Sequence, residues 1–163
     1  MNTTSSRFPV RFWRNPIHWL ACGLGTGAAK FAPGTFGTLG AIPFYLLLAQ
    51  LNVWTYFGVV LLSLLVGVTL CAYTARSLTS HDHPSIVFDE FVGFWVCMFA
   101  VPVDAYWIAL GFGLFRFFDI VKPWPISWVD QRIGGGLGIM LDDVVAGVFA
   151  GLCLHLVIFL TSY

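Results

Sequence analysis

The chain has 163 residues, with eight Lys and Arg balanced by eight Asp and Glu, so its formal net charge is zero. Only 10% of its residues are charged and 58% are hydrophobic, whereas about a quarter of an average soluble domain is charged. This composition argues against a soluble globular domain, a disordered segment and a nucleic-acid binder. It leaves an integral membrane protein with one domain over residues 1–163.

The N-terminal segment, residues 1–17, is predicted to form an interfacial arm. It contains Arg7, Arg11 and Arg14 but lacks the long apolar core of a signal peptide. Its aromatic side chains suit the headgroup level of a bilayer.

Residues 23–40 form a glycine-rich segment with six glycines and three threonines. Free backbone N–H groups in such a segment can approach an anion, and a helix start adds positive potential. The spacing matches neither of the two common nucleotide-binding loops. Two interpretations therefore remain, phosphate binding and the close packing of helices.

Stretches without formal charge predict about four to five apolar helices. The longest stretch covers the 45 residues between Lys30 and Arg76 and has room for two helices that turn near Asn52. Pro102 and Asp104 interrupt a later stretch, which predicts a hairpin with one short helix. The predicted helices are residues 38–51, 53–73, 91–103, 106–121 and 144–160. The fold prediction is an all-α, polytopic membrane bundle.

The charges also predict an orientation. With five helices and a cytoplasmic N-terminus, every Lys and Arg lies on the cytoplasmic side or within two turns of it. Among the acids, only Asp104 lies on the opposite side. We therefore expect a multi-pass membrane protein whose charged groups face the cytoplasm.

Two pairs of adjacent carboxylates, Asp89-Glu90 and Asp142-Asp143, each precede an apolar segment. Four carboxylates in one helical bundle would repel one another unless a cation or a proton compensated them. Hard oxygen ligands suit Mg²⁺ or Mn²⁺. The alternative is that the acids only cap the helix starts and complement the helix dipole.

A cationic motif follows at the end of the hairpin. Arg116 and Asp119 share a helix face, and Arg116 and Lys122 can bind a phosphate, one as a planar fork and the other as a point charge. The alternative is a local ion pair with snorkelling side chains. His81 and His83 are candidate ligands, acid-base groups or polar loop residues.

From about Pro16 to its end, the chain resembles the phosphatidylglycerophosphatase A family of bacteria. The motifs that carry the resemblance are PGTFGT at 33–38, HDH at 81–83 with DE at 89–90, RFFD at 116–119 with KPWP at 122–125, and GGLGIMLDD at 135–143. Lys30 departs from the small residue or proline expected there. The resemblance implies an all-helical, Mg²⁺-dependent phosphatase of the inner membrane. Its substrate is phosphatidylglycerophosphate and its lipid product phosphatidylglycerol.

The predicted site combines these motifs. The predicted metal ligands are Asp89, Glu90, Asp142, Asp143 and Asp119, although Asp119 alternatively orients Arg116. The predicted catalytic residues are Asp89, Asp142, Arg116 and His81. The predicted substrate-binding residues are Thr35, Gly34, Thr38 and Lys122. Direct attack by water and a phosphoaspartyl intermediate both remain open.

Membrane lipids and the lipid substrate are the expected partners, and no obligate protein partner is expected. Two rival functions remain, a small transporter with an ion path and a non-catalytic lipid-binding subunit. The clustering of charges at one membrane face argues against the first. The paired acids argue against the second, because binding of anionic lipid alone favours cations.

Overall fold

The structure, a computed structural model, describes residues 10–78 and 83–161. Within these ranges it contains α-helices, one 3₁₀ segment (Gly23–Ala28) and no strand, which confirms the all-α fold class. The helices are α1 (Val10–Trp13), α2 (Pro16–Ala21), α3 (Pro33–Leu48), α4 (Val53–Ser77), α5 (Phe88–Cys97), α6 (Ala105–Val121), α7 (Ile126–Arg132) and α8 (Gly135–Thr161).

The later part of the predicted interfacial arm packs on the bundle, while residues 1–9 lie outside the described ranges. His18 of α2 is buried, and its Nδ1 lies 3.0 Å from the hydroxyl of Thr74 on α4. The imidazole also stacks on Phe12, with ring centroids 4.2 Å apart. These contacts fix α2 against the end of α4 that carries Arg76.

Two helices, α4 with 25 residues and α8 with 27, are long and apolar enough to cross a membrane. This is fewer than the four to five predicted. The other apolar helices, α3, α5 and α6, have 16, 10 and 17 residues, whereas a full crossing needs about 20. The charge-free stretches were longer than these helices because they also contain turns.

The short helix α5 lies at the centre of the bundle, against α3, α4, α6 and α8. All residues from Asp89 to Trp95 are buried. A Cβ on Gly147 of α8 would overlap the carbonyl oxygen of Gly93, so the two glycines let the helix backbones approach closely. The predicted helix 91–103 is thus displaced, since α5 begins earlier and ends at Cys97.

The predicted start of the last helix was wrong by nine residues. Helix α8 begins at Gly135 rather than at residue 144, although glycine disfavours helix. A side chain on Gly136 would overlap the backbone of α4 at Val68 and Ala72, so this close contact requires a glycine. Asp142 and Asp143 therefore lie about two turns inside α8, where they cannot cap its N-terminus.

The outward surface of the two long helices is apolar. Large side chains remain exposed along both of them, including Leu61, Leu62, Leu65, Leu152, Leu156 and Phe159. A soluble monomer rarely exposes so continuous an apolar surface. The surface therefore indicates association with a membrane.

The directions of the helices gather the charged motifs at one end of the bundle. The first turns of α3 and α5 and the last turns of α6 meet there. Asp104 lies at the opposite end of α6, where its Oδ1 accepts a hydrogen bond of 2.8 Å from the N–H of Tyr106. Asp104 is therefore a helix cap remote from the other acids.

Candidate active site

A cavity of about 280 Å³ opens at the end of the bundle where these motifs meet. It is lined by acidic residues from three helices, by two cations and by the start of α3. These lining residues include Asp89, Glu90, Asp119, Asp142, Asp143, Arg116, Lys122, Pro33 and Gly34. The structure thus brings together most of the predicted site residues, from sequence motifs up to about 100 residues apart.

Three of the carboxylates form one compact group. Ligand oxygens of Asp89, Glu90 and Asp143 all lie within 4.8 Å of one another, and all three residues are buried. Within the described part of the chain, Glu90 Oε2 and Asp143 Oδ2 have no hydrogen-bond partner. Burial, together with the charge of Asp143, raises the pKa of Glu90 above its ordinary value. The buried charges require a compensating proton or cation.

The chemistry of this three-carboxylate group fits a hard divalent cation. Mg²⁺ and Mn²⁺ prefer carboxylate oxygens, and Mg²⁺ keeps some of its waters as additional ligands. The oxygen atoms without partners on Glu90 and Asp143 are available for coordination. The three residues could therefore hold an ion in an arrangement that leaves positions open for substrate.

Arg116 lies beside this group on the last turns of α6. Its Nη1 is 2.5 Å from Asp119 Oδ2 and 3.8 Å from Glu90 Oε1. Only 14% of the side chain is exposed, and its Nε has no hydrogen-bond acceptor among the described residues. The Asp119 carboxylate orients the guanidinium, whose remaining N–H groups can donate to an anion in the cavity.

Lys122 directly follows α6, and its side chain contacts both α7 and α8. Its Nζ lies 2.6 Å from Asp142 Oδ2 on α8 and 2.7 Å from Asp130 Oδ1 on α7. Burial alone would lower the pKa of Lys122, but the hydrogen bonds to Asp130 and Asp142 outweigh it and raise the pKa above its usual value. Lys122 therefore stays charged and neutralises Asp142.

Asp130 does not line the cavity but contacts Lys122, and the sequence motifs did not single it out. It lies on α7, eight residues after Lys122, and the chain between them contains two prolines. No helical or strand period relates residues on either side of such a turn. Its contact with Lys122 is visible only in the folded structure.

The glycine-rich segment serves mainly to pack the helices closely. A Cβ on Gly27 would overlap the carbonyl oxygen of Ser85, and one on Gly37 would meet Val87. Thr38 is fully buried and donates a hydrogen bond of 2.9 Å to Gly34 O within α3. Thr35 and Thr38 are absent from the residues that line the cavity, whereas Gly34 is among them.

His81, which was predicted to be catalytic, lies with Asp82 outside the described residues. The neighbouring His83 is described, and its Nδ1 accepts a hydrogen bond of 3.2 Å from the N–H of Ser85. This contact shapes the turn that leads into α5. Lys30 is exposed and does not line the cavity.

Comparison with known proteins identifies the family. Residues 19–158 match the family model described as Phosphatidylglycerophosphatase A. The Phosphatidylglycerophosphatase A of Escherichia coli is 48% identical, over 88% of this chain and 84% of that protein. The Haemophilus influenzae protein of the same name is 46% identical, over 83% of this chain and 85% of that protein. The chain therefore belongs to the phosphatidylglycerophosphatase A family.

A more distant relative carries a different name. A Bacteroides thetaiotaomicron protein, described provisionally as a phosphatidylinositol-3-phosphatase, is 38% identical over 80% of this chain and 86% of its own length. No solved structure matches the chain.

Proposed function

We propose that this member of a phosphatase family is a Mg²⁺-dependent enzyme that hydrolyses the terminal phosphate of phosphatidylglycerophosphate. The products are phosphatidylglycerol and inorganic phosphate. One observation carries the proposal, the buried group of Asp89, Glu90 and Asp143 oxygens within 4.8 Å of one another, next to the Arg116 guanidinium. Membership in the family supports the choice of substrate.

Asp89, Glu90 and Asp143 are the residues that would hold the metal ion. When bound, Mg²⁺ would polarise the phosphoryl group and lower the pKa of a coordinated water. Their burial keeps the surrounding dielectric low, which strengthens every electrostatic contact with the phosphate. In the net reaction a water oxygen joins phosphorus, and the ester oxygen leaves with the lipid and gains a proton.

Arg116 is positioned to bind the terminal phosphate. Its guanidinium is already fixed by Asp119 at 2.5 Å, so little side-chain entropy remains to be lost when a phosphate binds. A planar guanidinium can hold two phosphate oxygens at once and can stabilise the charge that develops during transfer. Gly34 borders the same space and leaves it open for the substrate.

Exposed aromatic side chains flank the cavity at positions that suit a lipid headgroup region. Phe31, next to the lining residue Ala32, is 87% exposed, and Trp124, two residues after Lys122, is 79% exposed. Aromatic residues favour the interface between hydrocarbon and water. Such residues beside the cavity support an opening at the depth where the phosphate of a membrane lipid would be found.

The proposal includes the location of the site. The apolar surfaces of α4 and α8 support membrane insertion, and most of the charges gather at the end of the bundle that holds the cavity. By the positive-inside rule, that end faces the cytoplasm in the inner membrane of a bacterium. The headgroup is then presented to the site from the inner leaflet.

The test is phosphate release from phosphatidylglycerophosphate in mixed micelles by the purified full-length protein. We expect turnover with Mg²⁺, loss of turnover with EDTA, and recovery when excess Mg²⁺ is added back. Release of phosphate that is equally fast in EDTA would remove the metal from the mechanism. Absence of any release, from a protein that still binds the lipid, would favour the non-catalytic lipid-binding function.

A further inference from the structure

We infer that the site holds a single divalent cation, and that the ammonium group of Lys122 takes the position beside Asp142 that a second ion would occupy. The inference rests on the proposed function and deepens it, since it concerns the same cavity. It assigns Lys122 to the organisation of the acids, whereas the sequence motif suggested a contact with substrate.

The first observation is the separation of the acids into two groups. Asp89, Glu90 and Asp143 bring ligand oxygens within 4.8 Å of one another, and Asp142 is not part of that group. Asp142 and Asp143 are adjacent on α8, so their side chains leave the helix in directions about 100° apart. One carboxylate of the pair therefore joins the three-carboxylate group and the other reaches Lys122.

The second observation is the contact between Lys122 and Asp142. The Nζ atom lies 2.6 Å from Asp142 Oδ2, which is the short distance of a charge-assisted hydrogen bond. A divalent ion on that oxygen would have to sit about 2.1 Å from it, in the space that the ammonium group fills. The two cations therefore compete for the same place.

The third observation is that both the backbone and the ammonium group of Lys122 are fixed by contacts. Its backbone adopts the left-handed conformation, with φ of 43°, where it caps the C-terminus of α6. Asp130 on α7 accepts a second hydrogen bond from Nζ at 2.7 Å. Moving the ammonium group aside would break its hydrogen bonds to Asp130 and Asp142. The buried Asp142 charge would then be uncompensated, which is energetically costly.

Five carboxylates line the cavity, and cations hold two of them, since Lys122 contacts Asp142 and Arg116 contacts Asp119. The three that remain suffice for one ion but not for two. Oxygen ligands of one Mg²⁺ lie about 3–4 Å apart, so the observed spacing needs only small side-chain rotations. Two-metal sites place their ions about 3.5–4 Å apart and need further carboxylates to bridge or flank them. With Asp142 engaged by Lys122 and Asp119 by Arg116, the cavity lacks that further ligand. Lys122 and Asp130 are then positioning residues.

The experiment measures Mn²⁺ binding to the purified full-length protein in detergent, by equilibrium dialysis with metal analysis. We expect one ion per wild-type chain and one ion per chain in Asp142→Asn. In Asp143→Asn the affinity should fall at least about tenfold. Asp104→Asn is the matched control, because it neutralises an acid at the opposite end of the bundle and should bind as the wild type does. Two ions per wild-type chain would overturn the inference, as would equal losses of binding in Asp142→Asn and Asp143→Asn.

Lys122→Met tests the ammonium directly. Removal of the ammonium should free the Asp142 carboxylate to bind metal and raise the stoichiometry to two ions per chain. A folded Lys122→Met that binds one ion would show that Lys122 does not occupy the position of a second ion. Because that variant leaves a buried charge, the double variant Lys122→Met/Asp142→Asn provides a charge-balanced comparison that should bind one ion.

Phosphate release is measured on the same wild-type sample. A protein that binds two ions and hydrolyses the lipid refutes this inference alone, whereas a protein that binds none refutes the proposed metal dependence as well.

Discussion

Gly34, at the start of α3, lies directly against the carboxylate of Glu90. A Cβ built on Gly34 would overlap Glu90 Oε1 and approach both terminal nitrogens of Arg116 to about 3.0 Å. The absence of a side chain at this position therefore keeps the Glu90–Arg116 pair in place at the edge of the cavity. Because the overlapping atoms are the ends of two long side chains, a methyl group would displace them without disturbing the backbone.

The first prediction is that Gly34→Ala lowers activity without unfolding the protein. We expect kcat/KM to fall at least about tenfold, which corresponds to about 1.4 kcal/mol of transition-state stabilisation. Gly113→Ala on α6 is the control, because an added Cβ there would meet no atom beyond its own stretch of α6 within 4 Å. Kinetics and thermal melts of both variants decide the matter. Full activity in Gly34→Ala would show that the Glu90–Arg116 geometry tolerates displacement.

The sequence predicted well those features that depend on local pattern. The Asp89-Glu90 pair was expected at the start of an apolar helix, and both residues lie in the first turn of α5. The helix predicted for residues 106–121 matches α6 to within one residue. For α6, the residues that delimit the apolar stretch, Asp104 before it and Lys122 after it, also delimit the helix.

Other features depend on contacts between distant residues and were therefore missed. The start of α8 was predicted at residue 144 because the charge-free stretch begins there, after Asp143. Glycine costs about 1 kcal/mol in a helix relative to alanine, so composition does not favour a helix over the preceding glycines. The close contact of Gly136 with the backbone of α4 accounts for a glycine within the helix there. Likewise, Lys122 and Asp142 are 20 residues apart, and no spacing rule joins them.

The second prediction concerns the coupling of Mg²⁺ to stability. In wild-type protein, Mg²⁺ should raise the melting temperature, because an ion that binds only the folded state stabilises it by about 2.7 kcal/mol at one hundred times its Kd. In Asp143→Asn this rise should vanish and turnover should be lost. Without metal, the variant should melt no lower than wild type, since a buried repulsive charge has been removed.

Asp104→Asn provides the matched control for that experiment. The amide oxygen can accept the same hydrogen bond from the N–H of Tyr106, and asparagine caps helices as well as aspartate does. We expect an unchanged response to Mg²⁺ and unchanged turnover. A similar loss in both variants would mean that the measurement reports general damage to the protein.

The third prediction concerns topology. Gln131 on α7 is exposed at the end of the bundle that holds the cavity, and Asp104 is exposed at the other end. In intact cells, an impermeant thiol reagent should label Asp104→Cys and spare Gln131→Cys until the membrane is opened. Wild type gives the background, because Cys22, Cys71 and Cys97 are buried and Cys153 is half-buried within the apolar helix α8. The reverse labelling pattern would place the site outside the cytoplasm.

The fourth prediction concerns the aromatic residues beside the cavity. Trp124→Ser should raise the apparent KM for a long-chain lipid in vesicles and have a smaller effect on a short-chain, soluble analogue, because only the former depends on the membrane interface. Trp54→Ser is the control, since Trp54 is similarly exposed, at 81%, but lies at the start of α4, opposite the site. Equal effects on the two substrates would indicate that Trp124 acts on the cavity itself.

The last prediction concerns Arg116, which the structure pairs with Asp119 and sets beside Glu90. If Arg116 binds the phosphate with two N–H groups, lysine cannot replace it, because an ammonium is a point charge without the planar fork. We therefore expect Arg116→Lys to lower kcat/KM at least about tenfold. Arg132→Lys on α7, an exposed position, should leave the kinetics unchanged. The variants must be compared at matched thermal stability, because the pair with Asp119 also fastens the end of α6. Near-wild-type kinetics in Arg116→Lys would show that Arg116 serves only its structural contact with Asp119 and does not bind the phosphate with two N–H groups.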